Sequence, residues 1–138
     1  MKKILTSILA IFSTGCVTTE LELVDINLLT NPKVKNHFFL KDMYKDNYFP
    51  NFLVDKGKNI LLDLCLKIER EKPKDEAGVY RLTHNAIEMF NDLQDEFYEN
   101  DSEIETAARD AIGTDFRFIL SAYSYDVDIE EAMAPREW

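Results

Sequence analysis

An all-α fold, a small bundle of four main helices with a short C-terminal helix, is what this chain of 138 residues predicts. Three observations carry that expectation. Apolar residues recur at three- and four-residue steps over long stretches. Only four Gly and four Pro punctuate the chain, too few for a turn-rich all-β fold. Nine Phe, six Tyr and a hydrophobic fraction of 46% supply a core that disordered chains lack. Once a leader and tether are set aside, roughly 105 residues remain, enough for one core and too few for two.

Residues 1–16 have the architecture of a secretory signal. Lys2-Lys3 is a positive start, Ile4 to Phe12 an apolar run, and Ser13-Thr14-Gly15 a set of small residues before Cys16. As a helix the apolar run spans only about 14 Å, too short to cross a bilayer. Ser13-Thr14-Gly15-Cys16 resembles the lipobox of bacterial lipoproteins, in which the Cys is lipidated, although that pattern prefers Leu where Ser13 stands. The expected protein is therefore a bacterial lipoprotein facing the periplasm or exterior. It stays cytoplasmic if the leader is not processed. Cys65, the other of two cysteines, sits in the apolar run Leu64-Cys65-Leu66 and reads as a small buried hydrophobe.

Residues 17–30 show no sustained period and read mainly as tether, with an aliphatic content high for a pure linker. Residues 31–138 form the expected helical domain. Asn31-Pro32 opens it, Pro being tolerated in a first helical turn. His37 to Tyr48 places Phe39, Leu40, Met43 and Tyr44 at helical spacing, which predicts a first helix ended by Pro50. Leu53 to Lys72 is the second. Leu62, Leu64, Leu66 and Ile68 also alternate as a strand would, but the length and the Leu, Lys and Glu content favour helix. Its apolar residues occupy more than one face, which predicts the most buried helix. The third, Val79 to Tyr98, carries the stripe Leu82, Ala86, Met89, Phe90, Leu93 and Phe97. The fourth follows Ser102-Glu103-Ile104-Glu105, a capping-box pattern, and runs through Ala108, Ile112, Phe116 and Ile119 to Tyr123. Asp128 caps a last short helix that ends at Ala134-Pro135, and Trp138 is expected to dock on the core.

Acids outnumber bases 26 to 16, a net charge of −10. Losing the leader removes Lys2 and Lys3 and leaves 14 bases against 26 acids, a net −12. Such a surface repels phosphate backbones, so nucleic acid is excluded as a partner, and it suits a basic protein. Catalytic signals are weak, and no catalytic residue or cofactor is expected. The sequence has no Gly-rich phosphate loop and no Ser nucleophile elbow. His84, Glu88 and Asp92 fall on one helix face where a metal could sit, but the paired Glu-x-x-His motif of helical di-metal sites is absent. Asp126, Asp128, Glu130 and Glu131 lack the spacing of a calcium loop and read as acids at a helix N-terminus. Cys65 paired with His37 or His84 would make a nucleophile and base only if Cys65 were accessible. Tyr44, Tyr48, Phe49 and Phe52 crowd one connection around Pro50, where they either anchor a partner or plug the core between helices.

From Asn31 to Trp138 the chain resembles a bacterial family catalogued as a domain of unknown function. The residues that carry the resemblance are HFFLKDMYKDNYFPNFLVDKGK (His37 to Lys58), ENDSEIETAAR (Glu99 to Arg109) and the closing PREW. The resemblance implies a short soluble chain and no activity, so the signal-like segment is a departure from it. Two functions are weighed. One is a non-enzymatic interaction domain, for instance of the toxin-neutralising immunity type, held at a membrane by lipid on Cys16. The other is a metal-dependent or other hydrolytic enzyme using His84, Glu88 and neighbouring acids.

Overall fold

A computed structural model describes residues 21–138; the signal-like segment and Cys16 lie outside the described residues. Helices α1 (Pro32–Lys35) and α2 (Lys41–Tyr44) are single turns. Three long helices follow: α3 (Asn51–Glu71), α4 (Glu76–Glu99) and α5 (Thr106–Ala122). The short α6 (Ile129–Ala132) closes the order, and no strand occurs among the described residues. The all-α expectation holds, with three long helices where four main ones were expected.

α3 is the central element. Leu53, Val54, Ile60, Leu61, Leu62, Leu64, Cys65, Leu66 and Ile68 are all buried along it, on several faces at once. Leu62 to Ile68, the segment that could be read as a strand, lies wholly within this helix. It ends where Lys72 turns left-handed at φ 47°, just before Pro73. Asp75 then caps α4, its carboxylate accepting the Gly78 N–H at 2.8 Å. α4 therefore starts at Glu76, earlier than its apolar stripe shows, because its first turn is polar.

α3 and α4 make the largest helix pair. At Gly57 the two approach closely: an added Cβ would sit 3.0 Å from Leu40 Cδ1 and 3.2 Å from Phe90 Cε1. The expected stripes converge into one cluster that includes Leu61, Leu64, Ile68, Phe90, Leu93, Phe97, Ile112, Phe116 and Ile119, with Met89 at its edge. Trp138 docks as expected, its ring 6.1 Å from that of Phe90. Gly113 on α5 has no such neighbour. A Cβ there meets only Met133, at an ordinary 3.9 Å. Gly113→Ala is therefore expected to raise stability by about 1 kcal/mol, as a higher thermal midpoint would show.

Two local expectations are corrected. The first helix does not run from His37 to Tyr48. Leu40 is left-handed at φ 55°, so only Lys41–Tyr44 turns as helix. The Leu40 N–H donates instead to Asp115 Oδ2 on α5, at 2.7 Å, and this long-range bond overrides the local spacing. Ser102 does not cap α5, the helix expected as the fourth. α5 begins at Thr106, and Ser102 closes α4: Asp101 is left-handed at φ 59°, with Asp101 N–H bonded to Tyr98 and Ser102 N–H to Phe97. That is a Schellman ending, in which a left-handed residue returns two amides to the last carbonyls of a helix. Of the SEIE string, Ser102 thus serves the helix before it, while Glu105 stands at the N-cap of α5 without a side-chain capping bond.

Residues 21–30 lie against the domain. Leu29 is buried, Leu21 and Val24 pack on the core edge, and a 3-10 turn spans Ile26–Leu28. Asn31 then caps α1, with Pro32 in the first turn where the sequence allows it.

Candidate functional site

The aromatic connection between α2 and α3 is shaped by its turns. Asp46 Oδ1 accepts the Tyr48 N–H at 2.9 Å and the Asp46 carbonyl accepts the Phe49 N–H at 3.1 Å. This turn sends the four expected contact residues in different directions. Phe49 enters the core edge-on to Phe97, with ring centroids 6.3 Å apart, and plugs the bundle. Tyr44 is half-buried, and its hydroxyl donates to Asp55 at 2.5 Å. Burial, and then the bond to the Asp55 carboxylate, push its phenol well above the ordinary range. Tyr48 and Phe52 stay outside, 41% and 53% exposed.

Beside Tyr48 runs the α4–α5 turn. Glu96, Glu99, Asp101, Glu103 and Glu105 fall within ten residues that contain no Lys or Arg. Four of the five are exposed, while Glu96 receives a 2.6 Å bond from Lys56 that ties α4 to α3. Tyr48 lies within the field of this turn. Lost solvation, and then the charges of Glu103 and Glu105, raise its phenol above the usual value. Tyr98, 56% exposed, adds a third outward aromatic on the last turn of α4. One end of the bundle therefore presents flat apolar rings beside uncompensated acids.

The metal candidates are placed differently. His84 Nε2 donates to the Glu131 carbonyl at 2.7 Å, and its ring lies parallel to that of Tyr80. Glu88 accepts from Asn91, which also bonds the Pro135 carbonyl at 3.0 Å and the Glu137 N–H at 2.9 Å. This face of α4 thus fastens the C-terminal segment, while Asp92 is exposed. Among the described residues no three His, Cys, Asp or Glu side chains gather as metal ligands would.

Cys65 is fully buried, and desolvation followed by the Glu69 charge pushes its thiol far above the ordinary range. Such a thiol is not a nucleophile at neutral pH. Neither histidine attends it. His37 pairs with Asp115 at 2.8 Å and stacks on Phe118 at 3.8 Å. Asp115, only 5% exposed, is the group that sequence reading missed. Its one signal was an acid between Ile112 and Ile119 on the buried stripe of α5.

A cleft of about 460 Å³ opens at the other end of the bundle, between α1, the end of α3 and Tyr123. Its floor is Glu69, whose carboxylate accepts from Thr30 N–H and hydroxyl, Asn31 N–H and the Tyr123 hydroxyl. Desolvation raises this carboxyl, but those four bonds together outweigh it and hold the group below its ordinary value. A folded-state pKa below the unfolded one stabilises above the unfolded value, and that contribution is lost as pH falls. Thermal melts between about pH 6 and pH 3 should show this acid-side loss, and Glu69→Gln should flatten it.

Comparison with known families finds a match over residues 33–138 to a family of unknown function, DUF5713. The chain belongs to this family. The DUF5713 match takes in all three motifs that carried the resemblance, together with both ends of the bundle. Cys16 and the packed segment from Leu21 to Pro32 precede it. Neither the curated proteins nor the solved structures searched gave a match.

Proposed function

We propose that this DUF5713 chain is a non-enzymatic interaction domain, held at a bacterial membrane by lipid on Cys16, that takes a basic protein partner. The observation that carries the reading is the pairing of exposed Tyr48 and Phe52 with the acids of the α4–α5 turn. Aromatic anchors supply most of the energy of a typical interface, and acids at the rim speed encounter with a basic partner and select for it. The same acids repel nucleic acid. A toxin-neutralising role of the immunity type is the concrete version, since a small acidic domain can cover a basic catalytic surface. That version rests on charge and size.

A photo-crosslinking residue at Phe52 tests the surface. The expected result is one identified basic protein as adduct, lost in Tyr48→Ala and in the double variant Glu99→Lys/Glu103→Lys, and weakened by raised salt. An equal yield from a probe at Arg81 would sink the reading. The anchor is tested separately: a Cys16→Ser chain should leave the membrane fraction, and an intact Met1 with no acyl mass on Cys16 would overturn the lipoprotein assignment.

A further inference from the structure

The segment upstream of α1 is attached in an unusual way. Asn59, buried on α3, holds it through backbone alone: Asn59 Oδ1 accepts the Val24 N–H at 2.7 Å, and Asn59 Nδ2 donates to the Glu22 carbonyl at 2.8 Å. Ten residues further along α3, Glu69 holds the Thr30 and Asn31 amides. The two ends of the segment differ. Leu29 and Val34 are buried in the main core, so the downstream end is part of the fold. Upstream, Leu21 and Val24 alone among the described residues pack on the core, and both are half-buried. Leu23 is 88% exposed, Leu28 52% and Ile26 36%.

We infer that residues 21–28 form a detachable latch, closed by the Asn59 amide and hinged at Leu29. Ordering eight backbone residues costs conformational entropy at every position. Against it stand two half-buried aliphatic side chains, two hydrogen bonds to one amide and the local bonds of the 3-10 turn. These gains are of the same order as the cost, so closed and open forms exchange without unfolding the helices. Both groups of the Asn59 amide bond to this segment, and opening returns them to water.

Opening changes the reach of the domain, a consequence that rests on the lipid anchor proposed above. With the latch closed, the chain from Cys16 to the domain surface at Leu21 spans at most about 17 Å. Opened to Leu29, it spans about 45 Å. The latch therefore sets how far the partner-binding end stands from the membrane.

Amide hydrogen exchange on the full chain tests this. The Val24 amide is expected to exchange by local opening, at least ~10-fold faster than the amides of Leu61 and Leu64 and with little dependence on denaturant. Asn59→Ala should bring Val24 close to the free-peptide rate while α3 keeps its protection. Asn59→Asp, which retains the acceptor and loses the donor, should fall between. Val24 exchanging at the same rate and denaturant dependence as Leu61 in the wild-type chain would overturn the latch, whatever the variants do. So would an Asn59→Ala chain with Val24 unchanged. The mass of Cys16 in the same preparation separates the two readings. An acylated Cys16 with a locked Val24 removes the latch alone. An unmodified Cys16 with a mobile Val24 removes the anchor, and the reach consequence with it.

Discussion

Phe90→Ala is expected to cost about 3–5 kcal/mol, a large share of the stability of a domain this size. Phe90 is 1% exposed and stands where the three long helices and the C-terminus meet. Its ring lies 6.3 Å from Phe116 on α5 and 6.1 Å from Trp138, and its edge faces Gly57 on α3. Removing it opens a cavity whose walls belong to four separate segments. Little of that cavity closes by relaxation, since three of its walls are held by separate long helices. Urea unfolding should show a lower midpoint with an unchanged slope, because the surface exposed on unfolding stays nearly the same. A loss below about 1 kcal/mol would show that the site collapses around the gap.

Asp115→Ala is expected to be the second most damaging change, at about 2–4 kcal/mol. The Asp115 carboxylate joins three things: α5, the Leu40 amide and the His37 ring. Without it the buried Leu40 N–H has no acceptor, and the left-handed turn at Leu40 loses the contact that holds it. Asp115→Asn keeps an oxygen for Leu40 and should cost less. Burial raises the Asp115 carboxyl above its ordinary value, against the pull of His37 and the Leu40 amide. A folded-state pKa above the unfolded one stabilises at low pH and loses that contribution as pH rises through the folded value. The advantage of wild type over Asp115→Asn should therefore shrink between about pH 3 and pH 6. A gap that widens over this range would mean that attraction to His37 outweighs burial.

The sequence showed where the long helices lie because each repeats an apolar stripe over about three to four turns. α3 and α4 lie where their periodicity marks them, α5 leaves out Ile104 and Tyr123 at its ends, and even the ambiguous run from Leu62 to Ile68 followed length and composition. Short elements fared worse. His37 to Tyr48 has helical spacing at four positions, yet one bond from Leu40 to a residue 75 positions away breaks it. Ser102 to Glu105 fits a capping box as letters, but the left-handed residue at Asp101 uses Ser102 to close α4. In a single turn, local propensity is worth too little to resist one buried tertiary hydrogen bond.

Half of the candidate surface was legible in the same way. The crowd of aromatics around Pro50 was visible, as was the excess of acids. Which rings point inward was not, because Tyr44, Tyr48, Phe49 and Phe52 look alike as a string. The Asp46 turn sorts them, sending Phe49 to Phe97 and leaving Tyr48 and Phe52 outside.

By itself, then, the sequence determined the helical class, the faces of the long helices, the cap at Asp128 and the acidic surface. All of these follow from spacing within about one turn or from a plain count of charges. Only the tertiary structure decided the break at Leu40, the burial of Asp115, the sorting of the aromatics and the docking of residues 21–30. Each of those depends on partners far apart in the chain, as with Val24 and Asn59 at 35 positions. A hydrogen bond between distant residues leaves no period in either segment, so it becomes visible only when the helices have brought its two ends together.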